Sequence, residues 1–225
     1  LLSVLTQRAK ELSIPLHSAA LYQVNFGLRD YIIAGLTAYL CYVLASMNLG
    51  FSWIYEWMEK TYRQIVLAPM GLDAAIIAKT ITVTMEASTV LWLALSLTSP
   101  LAGFKIGNNF LGLVGATLLS VFTFSCIALV FACFLRTIRV YTMTISILGV
   151  ALMFVSGIIT PIKAMPYWEQ QLASSMPLYY ASDLTKAAML GIPCDYGRDI
   201  VVLLSFAFGS LILSRFVLAR SKASL

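Results

Sequence analysis

The sequence predicts an all-α polytopic membrane protein, and three observations carry that prediction. First, 60% of the 225 residues are hydrophobic and only 11% are charged, with a mean hydropathy of +0.88. Soluble domains carry about a quarter charged residues, so water is not the main solvent of this chain. Second, the apolar residues fall into five runs of membrane length. Third, residues 156–191 form a Gly-, Pro- and Trp-studded stretch that is apolar yet too broken to span. Irregular backbone is tolerated at membrane depth only where protein covers it or where it lines a wet cavity.

A span needs about 20 mainly apolar residues. The runs lie at Tyr31–Tyr55, Thr80–Leu97, Phe110–Leu135, Val140–Ile159 and Ile200–Leu218. The first ends in Trp53, Tyr55 and Trp57, read as an aromatic belt where a helix leaves the hydrocarbon. The third carries Gly112, Gly115 and Ala116, small residues that permit close helix approach.

Basic residues near span ends set the orientation. With the C-terminus inside, the inner side holds eight of them: Lys60, Arg63, Lys79, Arg136, Arg139, Arg215, Arg220 and Lys222. Outside the first 30 residues, the outer side holds four: Lys105, Lys163, Lys186 and Arg198. Arg8, Lys10 and Arg29 fall on the outer side as well and blunt the bias. This orientation puts Leu1 outside, and the reading expects a further span upstream of it, making a six-span unit. Residues 1–30 are then an outer segment with a short amphipathic face of Leu2, Leu5, Ala9 and Leu12, and residues 31–225 are the transmembrane domain.

Several chemistries are excluded by what accompanies the candidate residues. The basic residues stand singly or in pairs, so no basic stripe for nucleic acid exists. Cys41, Cys126 and Cys133 lie within apolar runs and Cys194 outside them, with no CxxC, so neither a disulfide framework nor a metal site is expected. The single histidine, His17, precedes the first span, which leaves an intramembrane serine protease without its base. No Walker Gly-rich loop is present in the sequence, so the chain is read as no enzyme.

Two connecting segments remain. Residues 56–79, on the inner side, mix charges with Ile65, Val66 and Leu67 and then break at Pro69 and Gly71. That composition suits an interfacial helix followed by a turn, which either merely joins two spans or docks on a cytosolic partner. Residues 161–198, on the outer side, are cut by Pro161, Pro166 and Pro177 and carry Tyr167, Trp168, Tyr179 and Tyr180. Two short helices that dip into the outer leaflet and return satisfy this pattern. A plain external loop would not need Met165, Leu172, Met176, Leu178 and Leu184.

One charge lies inside a span. Glu86 is seven residues beyond Lys79, about 10 Å deeper at the helical rise. Intramembrane carboxylates are costly and usually face a bundle interior or a wet cavity. Glu86 is therefore either a cation or proton site in a pathway or a structural polar contact.

The outer segment resembles the type-2 membrane subunits of ABC exporters, the ABC-2 permease family. The shared pattern runs Ser156-Gly157, Pro161, Met165-Pro166, Trp168, Pro177-Leu178, Tyr180-Ala181 and Asp183, with Lys186 where the family favours a base and then Leu190-Gly191. The inner segment is similar to the family's coupling region through Glu56, Glu59, Thr61, Gln64-Ile65-Val66-Leu67, Ala68-Pro69 and Ala78-Lys79. Lys60 and Arg63 stand where the family has Gly and Glu, which alters the charge at the docking face.

The resemblance covers about residues 30–220. It implies five visible spans of a six-span unit, with an inner coupling helix and an outer re-entrant helical hairpin. It further implies coupling to an ATPase through Glu59, Thr61, Arg63, Gln64, Ile65, Val66, Leu67 and Pro69. An outer gate would comprise Gly157, Pro161, Met165, Pro166, Trp168, Pro177, Tyr180 and Asp183. The expected partners are an ATP-binding cassette subunit, a second permease subunit (the same chain or a different one) and the lipid bilayer. ATP and Mg²⁺ would be held by the partner ATPase, with no cofactor on this chain. The expected role is export of a drug, lipid or polysaccharide-like substrate across a plasma (bacterial inner) membrane. The alternative is an ion-coupled carrier or channel that uses Glu86.

Overall fold

The computed structural model describes residues 28–59, 71–102, 109–135, 137–160, 162 and 165–222. Among these residues the chain forms seven helices and no strand: α1 (Leu28–Met58), α2 (Gly71–Ala102), α3 (Phe110–Phe134), α4 (Ile138–Val155), α5 (Tyr167–Ser174), α6 (Pro177–Leu190) and α7 (Tyr196–Lys222). Five are long and apolar enough to cross a membrane: Arg29–Met58, Ala74–Pro100, Phe110–Phe134, Ile138–Val155 and Tyr196–Leu218. The helices exceed the predicted apolar runs at most ends, because hydropathy marks only the hydrocarbon-length part of a helix that continues into the interface.

Helix is the backbone form that satisfies its own hydrogen bonds without water, and the polar residues within the spans follow the same rule. The hydroxyls of Thr80, Thr84 and Ser88 donate to the carbonyls one turn back at 2.6–2.8 Å, so these buried side chains carry no unmet demand on α2.

Helices α1 and α3 form the centre. α1 packs against α2, α3, α4 and α6, while α3 also packs against α2, α6 and α7. Their shared core includes Tyr42, Trp53, Leu91, Phe124, Tyr141, Leu178 and Leu203. α4 packs mainly on α1 and α5, and most of its side chains are uncovered within the chain.

The α1–α4 seam is antiparallel and unusually close. Tyr42 donates its hydroxyl to the Ile145 carbonyl at 2.8 Å, and Tyr141 donates back to the Ser46 carbonyl at 2.6 Å. A Cβ on Gly50 would lie 2.1 Å from the Tyr141 ring, so the seam closes only because that position lacks one.

The structure corrects three sequence expectations. Of the small residues on α3, Ala116 is buried in the core, but close packing does not run through Gly115, whose Cβ position is open, and at Gly112 the nearest atoms belong to Asn109, the residue that caps α3. Small residues permit approach but do not choose the face that is used. Trp53 is not part of an interfacial belt: it is buried, Trp57 is half-buried, and only Tyr55 is exposed. The fourth span stops at Val155 rather than Ile159, because Gly157 takes φ +72°, a left-handed conformation that ends the helix.

Candidate functional site

The end of the bundle expected to face outward, termed the outer end, is built from the end of α4, the short helices α5 and α6, and the start of α1 and α7. α5 has 8 residues and α6 has 14, about 12 and 21 Å long at the helical rise, so neither crosses a bilayer. Pro166 caps α5 and Pro177 occupies the first turn of α6, where a missing N–H costs nothing. α6 ends at Gly191, whose N–H returns to the Ala187 carbonyl at 3.0 Å.

The residues expected at an outer gate divide by exposure. Gly157 and Tyr180 are buried, Met165, Pro177 and Asp183 are half-buried, and Pro166 and Trp168 are exposed. Pro161 lies outside the described residues. Tyr180 donates its hydroxyl to the Ser174 carbonyl at 2.6 Å, closing the turn between α5 and α6. The Arg198 guanidinium lies 5.7 Å from the Tyr180 ring centroid and pairs with buried Asp199 at 3.3 Å. Trp168, Tyr167 and Leu172 point out of the hairpin, where large amphipathic rings suit a headgroup boundary.

The centre of this outer cluster is a residue expected to face outer water. Lys186 is only 4% exposed. Its ammonium donates to the Gly157 carbonyl at 2.8 Å and to the Tyr31 hydroxyl at 3.0 Å, and lies 4.2 Å from the Tyr31 ring centroid. Tyr31 in turn donates to the same Gly157 carbonyl at 3.0 Å. Burial pushes Lys186 down to about 8, opposed by the nearby Asp183 carboxylate. Burial pushes Asp183 above the usual carboxylate range, against the pull of Lys186, Tyr179 and Arg198. The charge count that set the orientation therefore included one outer lysine that solvent does not see.

The opposite end, expected to face inward, carries a second polar contact. Lys79 on α2 forms an ion pair with Glu56 near the end of α1, with both side chains partly buried. Its ammonium also donates to the Ser52 carbonyl at 3.1 Å and stands 5.1 Å from the Trp53 ring centroid. The pair ties together the two helices that flank the inner segment. Of the residues expected to couple to an ATPase, Glu59 is exposed at the end of α1. Thr61, Arg63, Gln64, Ile65, Val66, Leu67 and Pro69 lie outside the described residues, as does His17.

Glu86 is exposed on α2 and has no ion pair among the described residues. It stands one residue from Met85, which lines an open groove of about 560 Å³ between α2 and α3 together with Ser88, Trp92 and Phe110. Within this single chain it faces outward rather than into the bundle. No group of three or more His, Cys, Asp or Glu that could hold a metal ion occurs among the described residues.

Sequence reasoning used Tyr31 only as the start of a span and Lys186 only as an outer charge and a family base. A lysine one turn after Asp183 and followed by the apolar run Ala187–Leu190 was the available signal, because fully buried lysines are rare unless paired.

Five spanning helices bound at one end by two non-spanning ones define a multi-pass, all-helical membrane protein. The ABC-2 type transporter family matches residues 9–190, from upstream of α1 to the end of α6. The chain belongs to that family and is a permease component of an ABC-2 transporter, the transmembrane rather than the catalytic part of such a system. Permeases of this family generally work with an ATP-binding subunit. A comparison with curated proteins gives no match.

Proposed function

We propose that the chain is the permease subunit of an ATP-driven exporter. Two such subunits would form the translocation path for a drug, lipid or polysaccharide-like substrate in a plasma (bacterial inner) membrane. ATP and Mg²⁺ would act in a partner ATP-binding subunit docked against residues 59–69. The observation that carries this reading is the family match over residues 9–190. The two non-spanning helices at the outer end and the Glu56–Lys79 pair beside the inner segment support it.

The alternative, an ion-coupled carrier centred on Glu86, has less support. A coupling acid works between helices or in a wet cavity, and this carboxylate stands on the outward face of α2.

The inner segment supplies the test. Ile65, Val66 and Leu67 are the apolar anchors of the proposed docking helix, and loss of one interface anchor costs on the order of 1–4 kcal/mol. Ile65→Asp is expected to abolish association with the ATP-binding subunit, or to leave hydrolysis uncoupled from transport, without unfolding the spans. Co-purification and ATP-dependent transport in proteoliposomes measure both. Unchanged complex formation and transport in Ile65→Asp would refute the docking site.

A further inference from the structure

The end of one sparsely covered helix, α4, meets a buried charge on α6. α4 packs mainly on α1 and α5, and just beyond its end Ile158 is buried against Gly35 of α1 while the Ser182 hydroxyl of α6 lies 3.4 Å from the Ser156 carbonyl. The charged restraint there is the Gly157 carbonyl, which accepts from Lys186 on α6 at 2.8 Å and from Tyr31 on α1 at 3.0 Å. The left-handed turn at Gly157 frees this carbonyl from the α4 ladder and presents it to both donors. Three elements distant in sequence are thus held through one oxygen atom.

The chemistry suits a contact that opens and closes. A hydrogen bond from a charged donor is stronger than a neutral one, but both partners regain water when separated, so the net cost of opening is small. Apolar side chains of the same volume would hold the three elements at least as firmly, and no obvious structural need calls for a lysine here. The surroundings fit the same role: Asp183 lies one turn before Lys186 on α6, and its carboxylate feels Lys186, Tyr179 and Arg198 at the start of α7.

We propose that Lys186 and Tyr31 form a latch at the outer end of the transport path. Closed, it pins the outer end of α4 to α6 and α1. Open, the ammonium and the carbonyl are hydrated, and α4 separates from the α5–α6 hairpin. The proposal rests on the permease reading above. Lys186 and Tyr31 are positioning residues in it, since neither needs to touch the cargo.

The native cysteines provide the test. Cys41, Cys126 and Cys133 are buried, whereas Cys194, between α6 and α7, is partly exposed. Burial and the carboxylates of Asp199, Asp183 and Asp195 push its thiol up to about 11, so alkylation is slow in this conformation. The experiment follows alkylation of Cys194 by a water-soluble maleimide, read by intact mass, on the full chain in lipid nanodiscs at one pH.

Lys186→Met is expected to raise the rate roughly tenfold, the equilibrium shift that loss of a charge-assisted hydrogen bond produces. Tyr31→Phe, which removes one hydroxyl, should raise it less. Lys186→Arg keeps the charge and the donors and should stay near the wild-type rate. The double variant Lys186→Met, Tyr31→Phe should react no faster than Lys186→Met alone, because both changes open one contact. Equal rates for wild type, Lys186→Met and Tyr31→Phe would overturn the latch, and so would multiplying effects in the double variant. Tyr31→Phe keeps the test decisive if Lys186→Met does not fold.

Addition of the ATP-binding subunit with ATP should accelerate wild-type alkylation. If ATP has no effect while the variant ranking holds, the exporter reading falls and the latch stands. If the ranking fails while ATP still accelerates labelling, the latch falls and the exporter reading stands.

Discussion

Removing the Glu56 charge should loosen the inner end of the bundle by a measurable and reversible amount. Lys79 and Glu56 have side-chain exposures of 14% and 28%, which place their pair between two regimes. Exposed pairs contribute about 0–1 kcal/mol, whereas breaking a buried pair costs about 3–5 kcal/mol. In Glu56→Gln the ammonium keeps the Ser52 carbonyl at 3.1 Å and the Trp53 ring but loses its counter-ion. A central value of about 2 kcal/mol follows, close to that of a hydrogen bond to a charged group. In a chain of this size that corresponds to a drop of roughly 4–8 °C in Tm, measurable by thermal unfolding of the detergent-solubilised protein. Lys79→Gln should cost a similar amount. The swapped pair Glu56→Lys, Lys79→Glu should recover half or more of the loss, since the attraction returns while the Ser52 contact does not. Additive losses in the swapped protein, or no loss in either single variant, would refute the ion pair as a structural tie.

Other expectations follow from particular contacts. Gly50→Ala should destabilise by about 1–3 kcal/mol through overpacking against the Tyr141 ring, and the penalty should vanish when Tyr141 is also cut to Ala, both read by thermal unfolding. Glu86→Gln should not destabilise the fold in thermal unfolding, since it removes an intramembrane carboxylate that forms no ion pair among the described residues. Cargo uptake into inverted vesicles by the same variant tests the pathway role, which selective loss of a cationic cargo would support. Trp168→Ala removes an outward-facing ring and should leave ATPase association intact while impairing export or making it leaky. Failure of that variant to associate would make the hairpin a folding element instead. In an otherwise cysteine-free chain, single cysteines at Arg139 and Arg198 should react with an impermeant thiol reagent from opposite sides of the membrane.

The spans were legible because a bilayer demands length and apolarity together, and both are local properties of the chain. The two short outer helices were legible for a related reason: Pro166 and Pro177 sit where a proline starts a helix, and Gly191 sits where a left-handed residue ends one. Contacts between helices were not legible. Tyr31, Gly157 and Lys186 meet across 126, 155 and 29 residues of sequence, and no periodicity announces such a meeting. Gly112 and Gly115 attracted attention as small residues in a span, yet the tightest approach lies at Gly50, where the Tyr141 ring stands opposite. Trp53 was misplaced because an aromatic residue near a helix end looks the same whether it faces lipid or a neighbouring helix.

Helix α1 is where the two polar contacts become one mechanical problem. It has 31 residues and is about 46 Å long at the helical rise, enough to reach from one membrane face to the other. At its inner end Glu56 and the Ser52 carbonyl hold Lys79 of α2. At its outer end Tyr31 shares the Gly157 carbonyl with Lys186 of α6. Between them, the Ser46 carbonyl and the Tyr42 hydroxyl bind α4 at two successive turns. A continuous helix resists compression along its axis, so a displacement imposed beside Glu56 arrives beside Tyr31 with little loss. A polar contact also has a defined broken state, with both partners hydrated, whereas an apolar face offers a continuum of slipped ones. For a chain whose inner segment is proposed to receive force from an ATPase, polar ties at the two ends of one stiff element suit transmission better than a uniformly apolar seam.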